Sequence, residues 1–207
     1  MHAVPRKVRD KLLRRADILR AATRVFAERG FHKATMSDIA KQAEYAVGTI
    51  YLYFKDKQAL YLALTDEKLD ELIKRVKDRI ARSHGSMEKI RALIDEELTY
   101  FEENEDFFRI YFSQRSLDRW AIKDKPSRET MEKMMKFLDY ISEIIKKAQE
   151  EKVIKSELDP KRTAHLLGGM IRSVLIPWLK DKPLKSESLK GLSGLILNIF
   201  LNGAAVK

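Results

Sequence analysis

The sequence of 207 residues contains no cysteine. It therefore has no disulfide framework, no thiolate zinc site and no cysteine nucleophile, and a cytoplasmic setting is expected. The longest apolar run, LILNIFL at residues 195–201, carries Asn198 and is far too short to span a bilayer. The first residues, MHAVPRKVRDKLLRR, lack the apolar segment of a signal peptide. We expect a protein that stays in water, with no membrane partner.

Patterns that would indicate an enzyme are also missing. The four histidines, at positions 2, 32, 84 and 165, are scattered, and no HExxH, P-loop, GxSxG or dinucleotide-binding pattern occurs. No constellation of metal-ligating residues stands out. We expect no metal, no cofactor and no catalytic residue, and an enzyme is the least favoured class of function.

Positive charge is concentrated near the N-terminus. Residues 1–57 carry 13 Lys and Arg against 6 Asp and Glu, a net charge of +7, whereas the other 150 residues carry 28 against 25, or +3. A basic module of this kind suits phosphate binding. The alternative, on charge alone, is a basic face that only keeps the protein soluble.

Apolar residues recur at helical spacing through most of the chain, which predicts an all-α protein of about nine helices. A first helix is expected over residues 8–29, ended by Gly30. Thr35 or Ser37 can cap a second helix. A long helix is expected to begin near Asp56, and the natural domain boundary falls near residue 57, where the charge bias ends.

The stretch VGTIYLYFKDK, residues 47–57, has the composition of a strand. An isolated strand is not stable, and the spacing of its apolar residues is helical. On a helix, Val47, Ile50 and Phe54 lie on one face with Tyr51 at its edge, and the opposite face presents Gly48, Thr49, Leu52 and Tyr53. We predict a short helix whose Tyr51 and Phe54 belong to the core.

Two short helices separated by Glu44-Tyr45-Ala46 form a helix-turn-helix, whose second helix lies in the major groove of DNA. Gly48 would allow close approach, and Thr49 and Leu52 would contact base edges. Tyr53, Lys55 and Lys57 would hold phosphates, since both lysines flank a helix N-terminus, which favours an anion. The alternative is a packed helical hairpin with aromatic core residues.

Two segments, ILRAATRVFAERGFHKATMSDIAKQA at 18–43 and VGTIYLYFKDKQAL at 47–60, resemble the TetR family of bacterial transcriptional regulators. The resemblance implies an N-terminal three-helix DNA-binding domain, residues 1–57, followed by a larger helical domain for ligand binding and dimerisation, residues 58–207. It also implies DNA contacts by Thr35 at the start of the second helix. It assigns Val47, Gly48, Thr49, Tyr51 and Leu52 to the base edges, and Tyr53 and Lys57 to phosphates.

The chain departs from the family pattern in the turn, where most members have Gly-Val-Ser. Ala46 replaces the usual serine, so a helix cap is expected to be missing, at a cost of about 1 kcal/mol. Glu44 adds a negative charge near DNA, and position 47 is an apolar valine. These departures bear on the strength and the sequence preference of DNA binding.

Apolar stripes near the C-terminus predict a homodimer when they are combined with the resemblance, which implies a four-helix bundle between subunits. The dimer prediction names Leu166, Met170, Val174, Leu192, Leu195, Ile196, Ile199 and Phe200. A twofold dimer presents two DNA-binding helices, so the operator should be a palindrome. The alternative role for these stripes is the core of one chain.

The part of the chain after residue 57 contains a set of aromatic and methionine residues that could line an apolar pocket, which predicts an apolar effector. The residues named for it are Phe108, Tyr111, Phe112, Arg115, Met134, Phe137, Met170 and Trp178. For the aromatic and methionine residues the alternative is a role in the core, which is the commoner place for such stripes. For Arg115 the alternative is a structural salt bridge, which is the commoner role. The segments GTIYLYFKDK and EEKVIKSELDP further resemble family members that sense fatty acyl-CoA.

The sequence therefore predicts a ligand-responsive DNA-binding transcriptional regulator. We expect a repressor that leaves a palindromic operator when a small apolar effector binds. The effector and the DNA would each favour a different conformation of the protein, so binding of one weakens binding of the other. The alternative is a helical protein that binds DNA without sequence preference, or a helical interaction module.

Overall fold

The computed structural model describes residues 5–114, 127–180 and 188–204. Over these ranges the chain forms nine α-helices and a 3-10 helix at Leu189–Leu192, and it has no strand. The α-helices are α1 Arg6–Lys33, α2 Met36–Ala43, α3 Val47–Tyr51, α4 Lys57–Ile80, α5 Gly85–Glu103, α6 Glu105–Gln114, α7 Arg128–Glu150, α8 Pro160–Lys180 and α9 Ser193–Ala204. The all-α prediction is confirmed.

The chain divides into two compact units. The first comprises residues 1–68 with 106–123, and the second comprises residues 69–105 with 124–207. The division therefore falls within α4, one continuous helix that belongs in part to each unit. The predicted functional boundary near residue 57 stays a prediction, because a contact-based division does not test where DNA binding ends.

The core of the first unit is built from apolar faces of α1, α2 and α3, with α1 packed on α2 and α2 on α3. Ile18 and Phe26 of α1, Ile39 of α2 and Ile50 of α3 are all buried. Phe26 also contacts Tyr61 of α4, with ring centroids 6.5 Å apart. Burial of this apolar surface fixes how α3 is presented by the two helices before it.

Gly30 interrupts α1. Its φ of 74° and ψ of 155° lie outside the helical region, in a conformation that glycine adopts without the steric penalty of a side chain. The chain then makes one more turn to Lys33 before Ala34, whose N–H donates to the carbonyl of Gly30 at 3.2 Å. The glycine predicted to end the first helix thus bends it, and the bend leads directly to α2.

In the second unit α5 packs against α7, α8, α9 and the 3-10 helix. Its buried residues include Ile90, Ile94 and Leu98. At its edge, the guanidinium of Arg75 from α4 donates to Glu96 at 2.7 Å and to Glu103 at 2.5 Å. Ionic contacts thus border an apolar interior. No helix in the described ranges is both long enough and apolar enough to cross a membrane.

Glu97 is the exception to the apolar interior of α5. Its side chain is buried, and it lies on the same helical face as Ile90, Ile94 and Phe101. Burial raises the pKa of Glu97 to about 7, although the positive charge of Arg172 on α8 acts in the opposite direction. The carboxyl group is therefore partly protonated near neutral pH.

Candidate nucleic-acid interface

A capping box fixes the start of α2. The hydroxyl of Thr35 accepts a hydrogen bond from the N–H of Asp38 at 3.1 Å, and the N–H of Thr35 donates to the Asp38 carboxylate at 3.0 Å. The Thr35 hydroxyl also donates to that carboxylate, and this contact is the main reason that the pKa of Asp38 is lowered. The prediction of a cap at Thr35 or Ser37 is confirmed at Thr35.

The turn between α2 and α3 begins in the left-handed region. Glu44 has φ 59° and ψ 36°, and the N–H of Tyr45 donates to the carbonyl of Ala40 at 3.0 Å, as in a Schellman motif. The hydroxyl of Tyr45 donates to Asp17 of α1 at 3.1 Å. The departure from the family pattern in this turn is thus accommodated by a contact that joins the turn to α1.

α3 begins without a side-chain cap, as the sequence predicts. Ala46 occupies the N-cap position with extended dihedral angles and offers no side-chain acceptor. The helix spans five residues, far fewer than an isolated helix needs for stability in water. Ile50, which is fully buried, and Phe54, which is 5% exposed, hold it in place. Tertiary packing therefore maintains α3.

The outer face of α3 and the residue that follows it, Leu52, carry exposed apolar side chains. Val47, Tyr51 and Leu52 are 39%, 51% and 82% exposed. Gly48 lies between them, and a Cβ placed on it would meet no atom within 4 Å. The sequence-based placement of Val47 and Tyr51 towards the core is wrong, whereas Phe54 is buried as predicted. Exposure of Val47 and Tyr51 agrees with the positions that the family pattern gives them.

The other side chains predicted to contact DNA differ in exposure. Thr35 and Lys55 are exposed, whereas Thr49, Tyr53 and Lys57 are half-buried. Their DNA contacts stay predictions.

The start of α4 is already occupied by the protein's own groups. The carboxylate of Asp56 accepts from the N–H of Ala59 at 2.6 Å, so an internal anion sits at the helix N-terminus where a phosphate was expected. The ammonium of Lys57 donates to the carbonyls of Phe31, His32 and Ala34, at distances of 2.6 to 3.1 Å. Lys55, by contrast, has no hydrogen-bond or ion-pair partner among the described residues.

The residues predicted for dimerisation fall into two groups in the second unit. Leu166 on α8 and Leu195 and Ile199 on α9 are exposed, at 68%, 50% and 55%. Ile196 and Phe200 are buried within the chain. Met170, Val174 and Leu192 are intermediate. The exposed residues are accessible to a partner in the single chain, and we call Leu166, Leu195 and Ile199 together the C-terminal apolar face.

The residues predicted for ligand binding belong to both units. On α6, Phe108 is buried and Tyr111 and Phe112 are intermediate; the Tyr111 and Phe112 ring centroids lie 5.3 Å apart. In the second unit, Trp178 is buried, Phe137 and Met170 are intermediate and Met134 is exposed. Arg115 lies outside the described residues. The effector site stays a prediction.

The sequence interpretation missed the tertiary contacts of two residues near this interface. Tyr45 departs from the family pattern in the turn, but its contact with Asp17 spans 28 positions and cannot be read from local sequence. Arg15 of α1 lies over the ring of Phe54, 5.5 Å from its centroid, and forms a salt bridge with Glu67 at 3.1 Å. For Tyr45, the one sequence signal of a tertiary contact is an aromatic residue in the turn between two helices. For Arg15 there is no such signal.

A short helix presented by two preceding helices, with an exposed outer face and a basic surrounding sequence, defines a helix-turn-helix DNA-binding protein. Comparison with known proteins gives the family. Residues 18–64 match the family of bacterial regulatory proteins, tetR family, and residues 65–188 match the C-terminal region of YsiA-like proteins. The chain belongs to the TetR family, and it is a ligand-responsive, DNA-binding transcriptional regulator.

Two relatives are similar over most of their length and a third over about half of it. The chain is 27% identical to the fatty acid metabolism regulator protein of Bacillus subtilis, over 90% of this chain and 93% of that protein. The crystal structure of FadR from Bacillus subtilis in complex with stearoyl-CoA superposes with a TM-score of 0.76 at 26% identity, covering 91% of this chain and 98% of that one. The transcriptional activator FasR of Mycolicibacterium smegmatis is 30% identical over 48% of this chain and 45% of its own. These relatives are transcriptional regulators.

Proposed function

We propose that this chain is a homodimeric repressor that binds a palindromic operator through α3 and leaves it when a fatty acyl-CoA binds. In this proposal residues 1–57 bind DNA, residues 58–207 bind the effector and the partner subunit, and no catalytic step is involved. Acting on chromosomal DNA, it works in the cytoplasm. The observation that carries the proposal is the outer face of α3 with its C-cap residue, where Val47, Tyr51 and Leu52 are exposed and Gly48 adds no side chain.

Exposed apolar side chains on so short a helix have a clear use in the major groove. Apolar groups discriminate thymine through its methyl group, and Thr49 supplies a hydroxyl for a base edge or a phosphate. Gly48 permits the helix backbone to approach the bases closely, since no side chain intervenes. Thr35, Tyr53 and Lys55 are positioned along the chain on either side of α3 and would hold phosphates, which fix register.

Dimerisation is supported by the C-terminal apolar face. α8 and α9 pack together in the second unit, and both expose large apolar residues to solvent. An unpaired apolar surface of this kind is typical of a protein–protein interface. Twofold pairing of these helices would supply two copies of α3 per molecule, so the operator would contain two inverted half-sites.

An acyl-CoA effector is supported by the similarity to FadR, whose structure contains stearoyl-CoA. The effector residues predicted on α7 and α8 of the second unit combine aromatic rings with methionine, and such side chains adapt well to a long acyl chain. Release from DNA follows if the acyl-CoA favours a state that binds DNA less well, because the coupling between the two ligands is reciprocal.

The first experiment is selection of random duplex DNA on the purified protein at moderate salt. Enrichment of a palindrome is expected, and Leu52→Ala and Thr49→Ala should change the preferred bases. Binding without any sequence preference, with a steep salt dependence, would instead indicate a non-specific DNA-binding protein. Absence of DNA binding by folded protein would contradict the proposal.

A second experiment uses the selected duplex as a probe for the effector. Stearoyl-CoA should release the protein from DNA, whereas coenzyme A alone and free stearate at equal concentration should not. Increased DNA affinity with stearoyl-CoA would change the assignment from repressor released by its effector to effector-dependent binding. No response to any acyl chain length would contradict the effector class and leave DNA binding intact.

A further inference from the structure

Three backbone carbonyl groups converge on the ammonium of Lys57. The Nζ atom donates to the carbonyl oxygens of Phe31 at 2.6 Å, His32 at 3.1 Å and Ala34 at 2.9 Å. An ammonium group has three N–H donors, and these three acceptors satisfy all of them. The same nitrogen lies 4.7 Å from the centroid of the Phe31 ring, which favours a cation at that position.

The three carbonyls come from the bend between α1 and α2. Phe31 and His32 belong to the last turn of α1, after the break at Gly30, and Ala34 immediately precedes the capping residue Thr35. Carbonyl groups at a helix C-terminus lack intrahelical donors and carry partial negative charge. Lys57 is the first residue of α4 and lies 23 positions further along the chain than Ala34. Its ammonium supplies the N–H donors that these carbonyl groups lack.

Lys57 and Lys55 occupy different environments although they are two positions apart. Lys57 is half-buried, and loss of hydration lowers the pKa of its ammonium. Lys55 is exposed, and among the described residues its ammonium contacts no acceptor. To contact a phosphate, Lys57 would have to give up hydrogen bonds that hold the bend, whereas Lys55 has none to lose.

We infer that Lys57 is a positioning residue, which fixes the start of α4 to the bend between α1 and α2, and that it supports DNA binding without contacting a phosphate. The bend sets the entry of the chain into α2, and α2 carries α3 through their packing. Lys57 thereby determines how α3 is presented. Lys55 is then the lysine of this segment that neutralises a phosphate. The inference rests on the proposed binding of DNA through α3.

The salt dependence of DNA binding separates the two roles. Each phosphate contact that is lost reduces the slope of log K against log salt by about 0.9, or about 1.8 for the two copies in a dimer. The experiment measures this slope on the selected duplex for the wild-type protein, Lys57→Met and Lys55→Met. Both variants lose one positive charge per chain and keep an aliphatic side chain, so they form a matched pair.

Lys55→Met should reduce the magnitude of the slope by about 1.8 and leave the structure and stability of the DNA-free protein unchanged. Lys57→Met should keep the wild-type slope while affinity falls about tenfold at every salt concentration. In the absence of DNA, hydrogen exchange at the amides of α2 should be faster in Lys57→Met and unchanged in Lys55→Met. A slope reduced by about 1.8 in Lys57→Met, with unchanged exchange, would overturn the inference.

Lys57→Arg provides a second test that does not require removal of the charge. A planar guanidinium cannot direct three N–H groups at the three converging carbonyls as an ammonium can. We expect the affinity of Lys57→Arg to fall, with the slope unchanged. Wild-type affinity in Lys57→Arg would contradict the positioning role. If the wild-type protein binds no duplex at all, the proposed function fails instead, which is a distinguishable result.

Discussion

The two compact units both pair most of their buried and half-buried polar groups, and Glu97 of the second unit is an exception. In the first unit the polar groups are paired: Thr35 with Asp38, Tyr45 with Asp17, and Lys57 with three carbonyls. In the second unit Glu97 is buried without a hydrogen-bond partner among the described residues, and its pKa is raised to about 7. The comparison indicates that the charge of Glu97 in the second unit responds to pH, whereas the paired groups of the first unit hold local contacts in place.

The largest effect is expected from Glu97→Gln. The folded-state pKa of about 7 exceeds the ordinary value of 4.5, so the folded protein binds the proton more tightly than the unfolded chain. The contribution of Glu97 to stability is therefore present below pH 4.5 and is lost as pH rises through about 7. Glu97→Gln should be more stable than the wild type at pH 8, by up to about 3 kcal/mol, and similar to it at pH 4.5.

Denaturant unfolding at a series of pH values measures this effect. Glu143→Gln, a change at an exposed site of α7, removes the same charge and controls for the net charge of the protein. Equal stability of Glu97→Gln and the wild type at both pH values would show that the carboxyl group is not destabilised by its surroundings.

The next effect concerns the C-terminal apolar face. Ile199→Glu places a charge at a residue that is 55% exposed in one chain, and it should weaken dimerisation about a hundredfold if a partner covers that residue. DNA affinity should fall with it, because one subunit presents one copy of α3. Sedimentation measures the oligomeric state. Met131→Glu is the control, since Met131 is also exposed but lies on α7; a dimer in both variants would exclude this face as the interface.

A smaller effect tests the pairing in the first unit. Thr35→Ala removes the hydroxyl that accepts from the N–H of Asp38, and it should destabilise the protein by about 1 kcal/mol. Ser37→Ala, in the first turn of the same helix, removes an exposed hydroxyl that caps nothing, and it should be nearly neutral. Chemical denaturation measures the free energy of unfolding of both variants. An equal decrease in the two would mean that the Thr35 hydroxyl contributes no more than an exposed hydroxyl that makes no cap.

The smallest effect comes from the left-handed residues. Glu44 and Lys152 are the non-glycine residues with positive φ in the described chain, at 59° and 58°, one in each unit. Replacing either by glycine should relieve strain, which the greater chain entropy of glycine in the unfolded state partly offsets, and stabilise the protein by about 0.5 kcal/mol. Only Glu44→Gly should also strengthen DNA binding, since it removes a negative charge beside α3. Tighter binding by Lys152→Gly as well would show that stability alone accounts for the gain.

Local features of the DNA-binding unit were largely predictable from sequence. The cap at Thr35, the break at Gly30 and the absent cap at Ala46 follow from residue types at known positions. The error at Tyr51 has a simple cause. The sequence prediction treats residues 47–54 as one regular helix, but α3 ends at Tyr51, and residues 52 and 53 form a turn. Phe54 reaches the core through that turn.

Features that depend on tertiary contacts were not predictable. The convergence of Phe31, His32 and Ala34 on Lys57 requires the bend at Gly30 and the packing of α4, and neither leaves a pattern in the sequence. Glu97 did leave a signal, because it shares the spacing of Ile90, Ile94 and Phe101 along α5. A charged residue within an apolar stripe is a sign of a buried charge, and here its surroundings determine its pKa.

The shortness of α3 has a thermal consequence. Five residues without a cap have no helical stability of their own, so α3 persists only while Ile50 and Phe54 remain packed. Local opening of this element requires less free energy than unfolding of the whole chain. On warming, occupancy of the operator should therefore decline before the cooperative unfolding transition begins, and the DNA-binding helix would act as an early sensor of heat.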